Sequence, residues 1–507
     1  MSHKWSKGYV SDLTYSHGYY HELAPSFLRF FLLQNGFANT SQNDDYSYCE
    51  LGYGQGVSAN LHAAANPRGR CWGTDFNPDH ALFAQCLARQ AGVEATWMAR
   101  GFEELLDDDL PSFDFITLHG VWSWIDASAR HAVVEFIRRR LKLGGIVYMS
   151  YNVMPGWATE KPLRDLMWLH TELAGGQGES TASRIQGAIA YADRLRKGNA
   201  AYFEQFPRAG QMLDDMSRDD RHVVAHEYFN RSWHIAYFAD LAQSLEAAGL
   251  SFACSVHKSD LVGEVALRRQ ACRLPAGDMN AALRETTNDF LLHRRFRRDV
   301  FVRGAARLQP AEQEAMLREV GLVLLRPADT IGATVQTPYG QVALDRAVLG
   351  SMLEQLAGAS EPVTLGRIID ATGHPASSVF AVAGALVAQS QAFPVFAGDA
   401  SCASQARARH LNRAIAQRAR IDDTLRYLAS PLTGHGLEVN HLHRLFLLGL
   451  EEGVREPADL AAFADPWAQA LAPGEGRGQA LIERAQHFNE AVVPLWRRLG
   501  LLQGEGA

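Results

Sequence analysis

The sequence lacks any apolar run approaching the roughly 20 residues that a membrane-spanning helix needs. Its first residues, Met1-Ser2-His3-Lys4-Trp5-Ser6-Lys7-Gly8, have no apolar core behind them to make a signal peptide. It also lacks any Cys-x-x-Cys pair. The six cysteines (49, 71, 86, 254, 272, 402) are scattered among apolar neighbours. They read as reduced, mostly buried thiols of a cytoplasmic protein. Two His-x-x-x-His pairs occur, His17/His21 and His222/His226, with Glu22 and Glu227 following. Neither has the His-Glu-x-x-His order of a zinc protease, and no third ligand is identifiable, so no metal is expected. A net charge of −7 gives no general attraction to nucleic acid.

At 507 residues, 47% of them hydrophobic, the chain has room for two to four domains with their own cores. Its most informative stretch is Tyr46-Ser47-Tyr48-Cys49-Glu50-Leu51-Gly52-Tyr53-Gly54-Gln55-Gly56. It reads as a buried strand ending in an acid and a glycine turn, with a helix at Val57–Ala65. The glycines let the backbone turn sharply and approach a ligand. A second acid, Asp75, ends the next apolar strand at Gly69–Asp75, where a carboxylate can meet ribose hydroxyls. The spacing is Glu-Leu-Gly-x-Gly-x-Gly, not the Gly-x-Gly-x-x-Gly of dinucleotide folds, and no Gly-Lys-Ser/Thr follows it. An acid just before the glycines would repel a pyrophosphate, which argues against binding one there.

Strand and helix signals alternate from 46 to 151. Asn77 and Pro78 can open a helix, strands follow at Glu94–Ala99 and Phe113–His119, and Ser128–Lys142 is a basic amphipathic helix. Ile146–Tyr151 is the fifth strand. The alternation implies a parallel sheet covered on both faces, with ligands outside the carboxyl ends of the strands. Residues 156–222 lack strand signals and read as a helical insertion, broken at Gly175-Gly176-Gln177-Gly178 and Pro207. Helix His234–Ala248 and strand Leu250–Val256 then extend the sheet. Asp278–Arg303 reads as a charged helical stretch whose Arg297 and Arg298 lie on a solvated face.

Beyond residue 306 the character changes. Leu344–Leu356, Thr364–Thr372 and Pro375–Gln391 form three helices with an extended Pro394-Val395-Phe396 after them, the outline of a winged helix. Pro375–Gln391 contains no Lys or Arg, so this module is expected to dock protein or to dimerise, and not to bind DNA. The Arg-rich helix Ala406–Arg420 reads as a solvated face, and Val439–Leu502 as helical and apolar enough to pack on the rest. The expected division is 1–155, 156–222, 223–305, 306–400 and 401–507.

The glycine turn resembles motif I of class I S-adenosylmethionine-dependent methyltransferases. Further segments narrow the likeness: Tyr15-Ser16-His17-Gly18-Tyr19-Tyr20-His21-Glu22-Leu23-Ala24-Pro25, His119-Gly120-Val121-Trp122-Ser123-Trp124 and Tyr151-Asn152-Val153-Met154-Pro155-Gly156-Trp157. With His226-Glu227-Tyr228-Phe229, Phe296–Gly304 and Tyr427–Gly434, the chain is similar to bacterial methyltransferases bearing a "methyltransferase regulatory domain". Those include rickettsial lysine methyltransferases of outer-membrane proteins. The resemblance implies a Rossmann-like α/β core, S-adenosylmethionine as donor, mainly helical accessory domains, a protein substrate and a homodimer. A glycan or small-metabolite acceptor, or a non-catalytic cofactor-binding scaffold, are the alternatives.

On this reading Glu50, Gly52, Gly54, Gln55 and Gly56 hold the methionine end of the cofactor and Asp75 and Phe76 the ribose. Phe102 and Glu103 lie near adenine; here Gly101 occupies the place where the family offers an acid. His119 sits by the sulfonium, and Tyr151 and Asn152 with it are the catalytic candidates. Tyr19, Tyr20, Trp122, Trp124 and Trp157 are expected to wall the acceptor pocket, because aromatic faces favour a neutral amine and a methylated cation.

Overall fold

The computed structural model describes residues 17–38, 45–66, 68–174, 179–274, 279–337, 340–396, 402–471 and 477–502. Residues 1–8, Tyr15, Ser16, the glycine break at 175–178 and the side chain of Cys402 lie outside the described set.

Seven strands form the central sheet: β1 (Tyr46–Leu51), β2 (Gly69–Asp75), β3 (Ala95–Ala99), β4 (Phe113–Leu118), β5 (Leu141–Asn152), β6 (Ser251–Ser255) and β7 (Phe296–Val302). Their order is β3-β2-β1-β4-β5-β7-β6. The first five are parallel, and β7 runs antiparallel to both β5 and β6. The sheet is therefore mixed, not wholly parallel as expected. Strands β1 and β4 are buried almost throughout, including the polar side chains of Ser47, Glu50 and Thr117.

The helices α1 (Pro25–Gln34), α2 (Val57–Ala65), α3 (Pro78–Ala91) and α4 (Ala127–Arg140) cover this core. Asn77 caps α3 by accepting from the Asp79 amide, with Pro78 at its first position. Asp126 caps α4 in the same way through Ala129. Five helices between Lys161 and Tyr228 form the insertion around a small core of their own, including Leu163, Met167, Ile185 and Leu213.

The expectation of a helical stretch through Asp278–Arg303 is overturned in its second half. Ala281–Leu291 is a helix, but Phe296–Val302 is β7, deep in the sheet. Its charges are not solvated: Arg297 and Asp299 are fully buried. Arg297 donates to Asp289 at 2.7 Å and to Asp299 at 2.6 Å, and Glu285 lies at 3.1 Å. Charges paired inside the protein replace the apolar alternation that would have announced a strand. Arg298 points to the opposite face and pairs with Glu22.

The remainder is largely helical. A three-stranded antiparallel sheet (Val363–Thr364, Gly321–Leu324, Ala392–Val395) is wrapped by helices that share one core with α1. Helix Cys402–Arg418 is more than a solvated face. It buries Ala408, Leu411 and Ile415 in a core shared with Leu61 of α2, Leu87 of α3 and Leu428 of the hairpin Tyr427–Ser430/His435–Glu438.

Candidate functional site

The glycine turn, the end of β2 and the loops after β3 and β4 enclose one cleft. Gly52 has φ +74°, and a Cβ there would stand 2.4 Å from Val121 Cγ2, so neither the backbone nor the space admits a side chain. Gly54 and Gln55 line the cleft. Gly56 does not: it precedes α2 with φ +69° and packs on Ala84, setting the helix against α3.

Two buried carboxyls face this turn. Glu50 accepts from the Tyr48 hydroxyl at 3.1 Å, and Tyr48 in turn accepts from Thr117 at 2.9 Å. Burial pushes the Glu50 carboxyl up to about 8, against the pull of the Tyr48 bond. Asp75 Oδ2 accepts from the Gly54 amide at 3.0 Å, so the end of β2 fixes the glycine turn directly. Its Oδ1 accepts from the Asn77 amide at 2.9 Å and meets His80 Nδ1 at 3.1 Å. His80 is a cleft residue that the sequence reading missed. The available signal was position: the first turn of a helix capped by Asn77 returns its third side chain toward the preceding acid.

Phe76, Phe102 and Glu103 line the next part of the cleft, beside Gly101 and Arg100. Glu103 accepts from Ser128 Oγ at 3.0 Å. On the other side stand Tyr20, His119 and Trp124. The Tyr20 ring stacks on His119 with centroids 3.6 Å apart, and His119 Nδ1 lies 2.9 Å from the Tyr148 hydroxyl. Burial lowers the imidazole to about 3; Glu22 opposes this, while Arg298 and His21 add to it. His119 is therefore neutral and a weak proton acceptor. Ser58 holds the Tyr20 backbone by accepting its amide at 3.1 Å.

Besides Gly56, five expected site residues lie elsewhere. Side chains alternate along β5, so Tyr148 and Ser150 face His119 and Gly120 while Tyr151 faces the other side. Tyr151 is fully buried and donates to Asp299 at 2.5 Å, inside the ion cluster. Asn152 is buried beyond the cleft with its amide on Ser123 Oγ. Trp122 is buried in the core below. Tyr19 points into the C-terminal hairpin, its hydroxyl accepting from the Gly436 amide at 2.8 Å. Trp157 stacks beneath Arg295 at 3.6 Å. Consecutive residues cannot share a face on extended chain, which separates Tyr19 from Tyr20.

Among the described residues no three His, Cys, Asp or Glu side chains come together to hold a metal, and no helix is long and apolar enough to cross a membrane. The glycine turn, where a side chain would clash, and the buried carboxyls of Glu50 and Asp75 fit a cationic nucleoside cofactor such as S-adenosylmethionine.

Comparison with known proteins agrees. A "Methyltransferase domain" model matches residues 49–145, and a "Predicted methyltransferase regulatory domain" model matches 220–303. The uncharacterized protein sll1526 of Synechocystis is 35% identical over 509 residues, covering 98% of this chain and 99% of that one. The uncharacterized protein RP789 of Rickettsia prowazekii is 25% identical over 222 residues, 40% of this chain and 39% of that protein. Among solved structures, PKMT2 from Rickettsia typhi in complex with AdoHcy superposes with a TM-score of 0.67, covering 96% of this chain and 99% of that one at 16% identity.

Proposed function

From the premise that this chain belongs to the S-adenosylmethionine-dependent methyltransferases carrying the predicted regulatory domain, we propose that it methylates lysine side chains of a protein. The observation that carries the reading is the aromatic wall of Tyr20, His119 and Trp124 facing the two buried acids across one cleft. The fold-level likeness to PKMT2 and the large non-catalytic half support it.

S-adenosylmethionine supplies an electrophilic methyl group on a sulfonium. The chain's task is to position a nucleophile and strip water from it. In this reading Glu50 receives the cationic amino end, Gly52, Gly54 and Gln55 the methionine backbone, and Asp75 with Phe76 the ribose. Phe102 and Glu103 flank adenine. Tyr20 and Trp124 form the acceptor wall, where an apolar aromatic setting draws the lysine Nζ below its ordinary value of about 10.4 and releases the free amine. His119, stacked and neutral, shapes that wall and accepts no proton. Residues 306–400, with four α-helices, a three-stranded sheet and a two-stranded hairpin among the described residues, serve as a winged-helix-like docking module. Helix Ala376–Ala388 has no basic residue, which favours protein over DNA as its partner.

Incubating the enzyme with labelled S-adenosylmethionine and fractions of its source cell tests the acceptor. Label on lysines of a discrete protein supports the proposal. Label confined to glycan or low-mass material would overturn it and leave the cofactor site standing.

A further inference from the structure

His80 is buried at 5% exposure, lines the same cleft as Asp75, and has an Nε2 with no hydrogen-bond partner among the described residues. Its tautomer is fixed by its neighbour. Nδ1 stands 3.1 Å from Asp75 Oδ1, and a carboxylate only accepts, so in the neutral ring Nδ1 carries the proton and Nε2 presents a lone pair.

The acceptor capacity of Asp75 is nearly spent. A carboxylate offers about four acceptor sites. The Asn77 amide and His80 occupy Oδ1, and the Gly54 amide occupies one site of Oδ2. One site remains, while a ribose diol brings two hydroxyl donors. The second hydroxyl needs another acceptor within the same cleft, and a buried acceptor without a donor is costly unless a ligand or water meets it.

We propose that His80 is a cofactor-binding residue that works as a pair with Asp75: Asp75 Oδ2 accepts from one ribose hydroxyl and His80 Nε2 from the other. This rests on the assignment of Asp75 to the ribose. The pair reads the diol as a unit, so the site selects ribonucleosides over either deoxyribose form. His80 also holds the Asp75 carboxyl in the orientation that leaves one acceptor site of Oδ2 open.

The test is calorimetric binding of S-adenosylhomocysteine and of its 2′-deoxy and 3′-deoxy analogues to the wild-type chain, His80→Asn and Asp75→Asn. Asn keeps an amide donor toward Asp75 and has nothing at the Nε2 position. The wild type is expected to bind both deoxy analogues about tenfold more weakly than the parent, one hydrogen bond each. His80→Asn should bind the parent about tenfold more weakly and no longer distinguish it from one of the two analogues. Retention by His80→Asn of wild-type discrimination against both analogues would overturn the role of His80. Full affinity and discrimination in Asp75→Asn would overturn the ribose assignment beneath it. His80→Gln, measured alongside, covers a failure of the Asn variant to fold: regained discrimination there supports the Nε2 bond, and the wild-type parent affinity without discrimination rejects it.

Discussion

The Tyr48 hydroxyl donates to Glu50 from beneath the glycine turn at 3.1 Å, and both side chains are buried. That single bond leaves the carboxyl raised from its ordinary 4.5 to about 8, because burial outweighs it. Between those values the folded chain keeps a proton that the unfolded chain has released. This group's contribution to stability is therefore largest below pH 4.5 and declines as pH rises toward 8. Thermal unfolding of the cofactor-free protein should show a midpoint that falls over this range. Glu50→Gln, which cannot ionise, should remove that part of the slope while weakening cofactor binding. An identical slope in the variant would locate the titration elsewhere.

His119 leads to a prediction about rate. With its imidazole lowered to about 3, the ring does not change charge across the working range. The pH dependence of kcat/KM should lack a limb near the ordinary imidazole value of about 6.5. His119→Asn should keep the shape of the profile and lower kcat by about tenfold to a hundredfold through loss of the Tyr20 stack. A limb near 6.5 in the wild type that vanishes in the variant would make His119 a proton carrier.

Gly52→Ala should strain the turn twice. The φ of +74° costs an alanine about 1–2 kcal/mol, and its methyl meets Val121. The variant should unfold at lower temperature and bind S-adenosylhomocysteine poorly. Adding Val121→Ala should recover the part of the midpoint lost to the clash and none of the part lost to the dihedral, which differential scanning calorimetry of the two variants separates.

Arg297→Met should cost about 3–5 kcal/mol in urea unfolding, since it leaves Asp299 buried without its cation and Asp289 with Arg294 alone. Burial already raises the Asp289 carboxyl to about 7, with Arg297 and Arg294 the chief opposing influences. The loss should therefore grow with pH as those carboxyls are forced to ionise.

Much of the core was legible because its strands are apolar runs with clear stops: the Glu50–Gly56 turn and the Asn77-Pro78 helix start both announce themselves locally. The parts that were not legible depend on distant partners. Strand β7 hides because Arg297 and Asp299 sit where apolar side chains normally alternate, and only the helix carrying Glu285 and Asp289 explains why they can be buried. Tyr151 lies at the end of β5 but faces away from the cleft, a distinction set by pleat and register that composition does not reveal. His80 escaped because its partner is a side chain, not a motif.

The position of β7 has a temporal meaning. On the ribosome, β5 is complete at residue 152, yet its hydrogen-bonding edge is not covered until residues 296–302 emerge. Through that interval the nascent chain carries an open strand edge next to a cofactor cleft whose Glu22–Arg298 brace does not yet exist. The segment that bears the regulatory label is thus the last piece of the catalytic sheet to be made. A chain cut short before it is expected to aggregate instead of acting as an unregulated enzyme.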